Sequence, residues 1–266
     1  MKTIESAGWA MMHHSMLDST NAEACRCIAA GLTEKTAILA NCQTAGHGRG
    51  QRIWESSVDK GMWVSLVLPI TVPFETLTQS TLVLAMAVRE TVERVSSVGL
   101  QAKWPNDLLY GSRKCCGLLV EAHIAEPAPR ASDVAYVSLI LGIGLNINHL
   151  EGDFPVTLRE TATSLRLVAG REYSREHILR DMLCSVDHWF SLWTEQGFTP
   201  IRDAWLAANC TMGKRLVLPD GFGCTHGIAH DLAPDGALIV LADDGAFLRI
   251  DAGEIVFHNV PSHPSL

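Results

Sequence analysis

The C-terminal stretch constrains the fold most, because its texture differs from everything before it. Short apolar runs at residues 215–218, 227–230, 237–241, 247–250 and 255–258 are separated by Pro219-Asp220-Gly221, Pro234-Asp235-Gly236, Asp243-Asp244-Gly245 and Ala252-Gly253. Turn residues recurring at this spacing point to a small antiparallel barrel of about fifty residues. The expected division is therefore a domain at 1–210 and a β-domain at 211–266.

The longer part reads as α+β, with flanking helices on a mixed or antiparallel sheet. Asp18, Ser19, Thr20 and Asn21 offer capping side chains to a helix over 22–30 that ends at Gly31. Strands are expected over 36–42, 62–68, 100–104, 114–123 and 134–146, with Gly111-Ser112 turning between the third and fourth. A long helix is expected over 74–97, where Leu77, Leu84, Val88, Val92 and Val95 share one face. Further helices are expected over 174–196 and 200–210, and exposed loops over 43–60 and 126–132.

A chain of 266 residues buries a sizeable core without disulfides or metal staples. Its net charge of −8 supplies no basic field to hold a phosphate backbone, so nucleic acid is not an expected partner. The cysteines (Cys25, Cys27, Cys42, Cys115, Cys116, Cys184, Cys210 and Cys224) form no Cys-x-x-Cys pair and no zinc spacing, and read as buried free thiols. No segment resembles a signal peptide or reaches the ~20 apolar residues of a membrane span. The expectation is a cytoplasmic protein with no membrane partner.

Three segments carry chemistry. In Gly46-His47-Gly48-Arg49-Gly50-Gln51-Arg52-Ile53-Trp54, alternate glycines let the backbone approach a ligand and turn its N–H groups inward. Arg49 and Arg52 add charge suited to phosphate or carboxylate, and Trp54 offers an aromatic face. This is not a P-loop, because no Gly-Lys-Ser/Thr follows. In Lys103-Trp104-Pro105-Asn106-Asp107, the proline ends a strand and presents Asn106 and Asp107 together. Lys114 then follows a hairpin turn, and Gly117 leaves room for a ligand against the strand. In Gly142-Ile143-Gly144-Leu145-Asn146-Ile147-Asn148, alternate glycines weaken a strand. Either a flat ligand lying on it or a β-bulge accounts for them.

In this order, the three segments resemble the catalytic domain of the biotin–protein ligases. That family's pattern is Gly-Arg-Gly-Arg-x-Gly-Arg-x-Trp, Lys-Trp-Pro-Asn-Asp, Arg-Lys-x-x-Gly-Ile-Leu-x-Glu and Gly-x-Gly-x-Asn-x-Asn. Ser19-Thr20-Asn21 and Thr163-Ser164-Leu165 resemble two further family signatures. The chain departs from the pattern at His47, where the family has arginine, and at Gly50-Gln51, where the order is changed. The resemblance runs from about residue 15 to the C-terminus. It implies a class II synthetase-like catalytic domain followed by a small SH3-like barrel.

The activity the resemblance implies is activation of biotin by ATP to biotinyl-5′-AMP, with Mg²⁺ on the ATP phosphates. Transfer to a lysine of a biotin carboxyl carrier protein follows. Ser19, Thr20, Asn21 and Gln43 would line the biotin pocket, with Gly117, Gly142 and Gly144 giving space beneath the ligand. Gly46, His47, Gly48, Arg49, Arg52, Trp54, Asn106 and Asn146 would hold the nucleotide and phosphates. Lys114 would bridge the carboxylate and the α-phosphate with help from Arg49, and Asp107 would take the proton of the acceptor lysine. No residue is expected to be a resident metal ligand. A lipoate–protein ligase shares the fold, but its lipoyl chain wants an apolar channel, whereas biotin's ureido ring needs polar partners. A ligase–repressor would place a DNA-binding domain of about sixty residues ahead of the Ser-Thr-Asn motif. With 18 residues before Ser19, the expectation is a ligase without one. A sheet edge leaves a homodimer open.

Overall fold

The computed structural model describes residues 8–124, 134–218, 226–251 and 255–257. Strands β1 (Ala10–His14), β2 (Thr36–Ala40), β3 (Gly61–Pro73), β4 (Gln101–Lys103), β5 (Asp107–Tyr110), β6 (Arg113–Ile124) and β7 (Val134–Asn146) form one sheet. Their order is β1-β2-β3-β7-β6-β5-β4. The β1–β2 pair is parallel and the other pairs are antiparallel, so the sheet is mixed.

Strand periodicity decides which face carries the site. Val64, Leu66 and Leu68 of β3, and Leu139, Leu141, Ile143 and Leu145 of β7, enter the main core. Val67 and Ile140 enter a separate small core with Ala24 of helix α1 (Thr20–Ala29). Successive side chains of a strand point to opposite faces. Ser65, Gly142, Gly144 and Asn146 therefore lie on the α1 face. Helices α2 (Ser80–Ser96), α4 (Arg175–Gln196) and α5 (Thr199–Ala208) pack on one another and supply the main core from the other side. Cutting one of these buried leucines to alanine costs about 2–5 kcal/mol.

The sheet corrects the expected strand series. The Gly111-Ser112 turn joins β5 to β6, and β4 connects to β5 through Pro105 and Asn106. The expectation missed β5 because it is four residues long and begins inside the Lys-Trp-Pro-Asn-Asp motif. It also missed β1, a short edge strand, and α3 (Leu165–Ala169), a single turn capped by Ser164. The helix expected over 74–97 begins at Ser80, after a 3₁₀ turn at Phe74–Gln79 that follows Pro73. The cysteine expectation holds only for Cys115 and Cys116. Cys25 and Cys184 are exposed, while Cys27, Cys42 and Cys210 are half-buried. The loop expected over 126–132 and residue Cys224 lie outside the described residues.

The C-terminal strands β8 (Arg215–Val217), β9 (His226–Leu232), β10 (Leu238–Ala242), β11 (Phe247–Ile250) and β12 (Val256–Phe257) form an antiparallel sheet in the order β11-β10-β9-β8-β12. Gly236 and Gly245 take the positive φ values, 90° and 88°, that two of the expected turns need. The turns expected at 219–221 and 252–253 lie outside the described residues. This sheet is tied to the rest of the chain at several points. Trp104 Nε1 donates to Gly236 O (3.0 Å), Arg202 Nε donates to Leu232 O (2.7 Å), and Arg202 also pairs with Asp231.

Candidate active site

Helix α1 starts over the middle of the sheet. Ser19 caps it and accepts from Ala22 N, which leaves Thr20 and Asn21 in the first turn and buried against β3 and β7. Thr20 donates to Gln43 Oε1 through both its backbone N–H (2.8 Å) and its hydroxyl (3.1 Å). Ser65 Oγ lies 2.7 Å from Thr20 Oγ1 and 2.5 Å from Asn21 Oδ1, so two acceptors share its single proton. Asn21 Nδ2 donates to Glu121 Oε2 at 2.6 Å. A Cβ on Gly142 would stand 2.4 Å from Asn21 Oδ1, so the glycine makes room for the protein's own amide. Ser65 and Glu121 were not among the expected site residues. The signal for Ser65 was a lone hydroxyl inside an apolar strand.

The glycine-rich segment is a tight tongue. Gln43 N donates to Ser56 Oγ (3.0 Å), Trp54 N to Gly46 O (2.9 Å) and Gly48 N to Arg52 O (2.7 Å). Gly50 turns the tip at φ 66°. A Cβ on Gly46 would stand 2.9 Å from Trp54 O, so this glycine serves the base of the tongue. It is not among the described residues lining the cleft; every other expected site residue is. The Arg49 guanidinium is half-buried, and burial followed by the neighbouring charge of Arg52 lowers its pKa.

At the end of the tongue, the Trp54 indole lies on the sheet. A Cβ on Gly117 or Gly144 would stand 2.7 or 2.5 Å from its ring. The flat group resting on these glycines is thus Trp54 itself, and not directly a ligand as expected. Lys114 Nζ is 5.1 Å from the ring centroid, within cation–π range. Trp54 Nε1 is buried without a hydrogen-bond partner among the described residues.

Lys114 reaches this face because β6 bulges. Leu108 pairs with Cys116 and Leu109 with Lys114, so Cys115 is the extra residue. One extra residue inverts the alternation, which turns Lys114 to the side of Gly117. Its backbone is pinned, with Lys114 N donating to Thr161 O (2.7 Å) and Thr163 N to Lys114 O (2.9 Å). Its ammonium pairs with Asp107 Oδ1 at 2.6 Å. Asn106 locks the connection before β5, donating from Nδ2 to Leu118 O (2.7 Å) and accepting from Leu118 N (2.9 Å). The Trp104–Pro105 peptide is cis. Asn146 is buried, and its Nδ2 donates to Thr163 O (3.0 Å).

Beyond Asn146 the wall becomes aromatic. His149 stacks on Phe154 (4.8 Å, 17°) and meets Trp63 edge-on (5.8 Å), and Trp63 in turn meets Trp54 (6.1 Å). Burial pulls the His149 pKa down to about 4. The Asp153 carboxylate pushes the other way, and Lys60 adds to the lowering. His149 Nδ1 is buried without a partner among the described residues. Sequence reasoning did not single out His149 or Phe154, because neither lies in a motif.

All of this opens on one cleft of about 650 Å³. The register orders it. Ser65 pairs with Gly142, Trp63 with Gly144 and Gly61 with Asn146, and His149 follows three residues later. At about 3.3 Å per residue, a polar clamp, a cationic centre and an aromatic box succeed one another along β7. Arg49, Arg52, Lys103 and Lys114 outnumber the acids Glu55, Asp107 and Asp153 in the cleft lining, although the chain as a whole is anionic. Such a cleft fits an elongated ligand with a polar head, an anionic middle and a planar aromatic end. Among the described residues, no group of three or more His, Cys, Asp or Glu could hold a metal ion.

Residues 16–141 match the biotin/lipoate A/B protein ligase family, and residues 211–258 match the biotin protein ligase C-terminal domain. The bifunctional ligase/repressor BirA of Bacillus subtilis is 32% identical over 241 residues, spanning 91% of this chain and 72% of that protein. A biotin–[acetyl-CoA-carboxylase] ligase of Paracoccus denitrificans is 30% identical, over 90% of this chain and 97% of that one. The biotin protein ligase of Aquifex aeolicus, solved in complex with biotin and ATP, superposes with a TM-score of 0.77 at 26% identity. That match covers 94% of this chain and 99% of the other.

Proposed function

Because this chain belongs to the biotin/lipoate A/B protein ligase family, we propose that the cleft performs the two steps of a biotin–[acetyl-CoA-carboxylase] ligase with the following division of labour. The protein activates biotin with ATP to biotinyl-5′-AMP and transfers the biotin to a carboxylase carrier protein. The observation that carries the assignment is the order of groups along β7. Biotinyl-AMP is linear, with a ureido ring, a chain, a phosphate and a planar base, and the clamp, the cationic centre and the aromatic box follow in that order.

In the first step a biotin carboxylate oxygen attacks the α-phosphorus, a P–O bond forms, and pyrophosphate leaves. Two anions must meet, and Lys114 and Arg49 lower that repulsion and stabilise charge on the transferring group. Magnesium arrives as MgATP, carried mainly by phosphate oxygens. The clamp of Ser19, Thr20, Asn21 and Gln43, backed by Ser65, holds the ureido head. His47, Gly48 and Arg52 face the phosphates, and Asn106 and Asn146 fix the walls. In the second step the carrier's lysine attacks the anhydride carbonyl, its C–N bond forms and AMP leaves. Asp107 accepts the amine's proton once Lys114 has turned to the anions. The work is assigned to the cytoplasm, where carrier and MgATP meet. The outer edge of β1, unpaired among the described residues, is the route to a homodimer. Incubation with MgATP and either biotin or lipoate, reading pyrophosphate release, tests the reading. Release with biotin alone is expected, and release with lipoate alone would reverse it.

A further inference from the structure

Lys103 stands in the motif before β5 and adds charge to the cleft, yet the division of labour proposed above gives it no role. It lines the cleft and pairs in register with Asp107 across the β4–β5 hairpin. Two strands, or about 10 Å of sheet, separate it from Lys114 on β6. The other cleft lysine is neutralised by a carboxylate, Lys114 by Asp107 at 2.6 Å. Among the described residues no carboxylate pairs with Lys103. Its ammonium instead lies 4.8 Å from the ring centroid of Phe257, on the last strand of the five-stranded sheet. Phe257 and Ile255 line the same cleft. A ring holds an ammonium in place without cancelling its charge, so the C-terminal sheet presents an uncompensated cation at the cleft rim.

Resting on the reaction proposed above, we propose that Lys103, steadied by Phe257, is the subsite for the departing pyrophosphate. Lys114 and Arg49 serve the point where carboxylate and α-phosphorus meet. The charge that develops on the leaving group falls beyond them and needs its own cation. Lys103 supplies it, which gives the five-stranded sheet a direct part in the first half-reaction and none in the second. Phe257 acts through Lys103 and is a positioning residue.

The two half-reactions separate this role from a structural one. In the reverse direction, biotinyl-AMP and pyrophosphate give ATP and biotin. Lys103→Gln should raise the KM for pyrophosphate in biotin-dependent pyrophosphate–ATP exchange by roughly ten- to a hundredfold, the range of a hydrogen bond to a charged group. Transfer from supplied biotinyl-AMP to the carrier protein should stay within about twofold of wild type, since no pyrophosphate takes part in that step. Phe257→Leu should shift the pyrophosphate KM in the same direction by a smaller factor, and Phe257→Trp should restore it. An unchanged pyrophosphate KM in Lys103→Gln overturns the proposal. So does an equal loss in both half-reactions, which would make Lys103 a general structural residue. Absence of biotin-dependent exchange in the wild-type protein would instead overturn the underlying assignment, and this subsite with it.

Discussion

The two ends of the cleft satisfy their buried polar groups differently. Around Asn21, side chains from α1, β3, β6 and the residue before the tongue form one connected network. Thr20, Asn21, Gln43, Ser65 and Glu121 each hold at least one partner. At the other end Trp54 Nε1 and His149 Nδ1 are buried with none among the described residues. A buried group left unpaired costs about 1–3 kcal/mol. Each clamp residue is therefore fixed by a neighbour, whereas the aromatic end holds a cost that repacking or ligand contact relieves. Mutual fixing gives specificity, because the donors and acceptors left over face a ligand in set directions. Between the two, Lys114 Nζ stands 2.6 Å from Asp107 Oδ1, an ion pair that the proposed adenylation requires to open.

Opening that pair should matter most. Lys114→Ala should slow single-turnover adenylation by at least a hundred- to a thousandfold, the scale of losing one preorganised charge-stabilising group, while changing ATP binding much less. Near wild-type adenylation would show that the middle of the cleft is not the reacting centre.

The aromatic end predicts a pH effect with a definite sign. His149 titrates near 6.5 unfolded and near 4 folded. Between those values the unfolded chain takes up a proton that the folded chain refuses. Stability should therefore be intact above about pH 6.5, decline as the pH falls, and lose roughly 2–3 kcal/mol of this contribution by about pH 4. His149→Phe keeps a ring against Phe154 and should abolish that component. Urea midpoints at pH 7, 5.5 and 4.5 read it. Parallel curves for the two proteins would mean the ring is not buried as described.

The clamp predicts a smaller and more selective loss. Ser65→Ala removes a buried donor shared by two acceptors, and should cost about 1–2 kcal/mol in biotin affinity with ATP affinity little changed. If isothermal titration shows both ligands weakened alike, the two ends are not independent and the comparison fails.

Much of this was legible in the sequence, for reasons that particular residues make plain. The turn-punctuated C-terminal sheet was readable because Gly236 and Gly245 have few substitutes at positive φ. The ordered motifs placed Lys114, Asp107 and the clamp together because their spacing is local or set by adjacent strands. What escaped depends on geometry without a sequence pattern. The bulge at Cys115 cannot be read from an apolar run, yet it turns Lys114 to the working face. Gly117 and Gly144 announced a flat neighbour but not that it is Trp54. His149, Phe154 and Phe257 reach the cleft from segments that carry no motif, and Glu121 joins Asn21 across a hundred residues of chain.

The smallest expected effect concerns His47, at the edge of the tongue where the family pattern has arginine. His47 lines the cleft and bridges to Ile53, so its backbone is fixed while its side chain is half-exposed. An arginine offers a planar fork of donors and a permanent charge, and an imidazole offers at most two donors. The position lies beside Gly48 and Arg49, which also line the cleft and to which the proposed division of labour gives the anionic middle of the ligand. A longer cation there adds one charge-assisted contact at the rim, without the desolvation that strengthens buried ones. His47→Arg should slow release of biotinyl-AMP by about tenfold or less, equivalent to roughly 1.4 kcal/mol, and leave the adenylation rate nearly unchanged. Stopped-flow release of the intermediate from the two proteins decides it. Equal off-rates would show that position 47 does not touch the intermediate, and that the grip belongs to the buried part of the tongue alone.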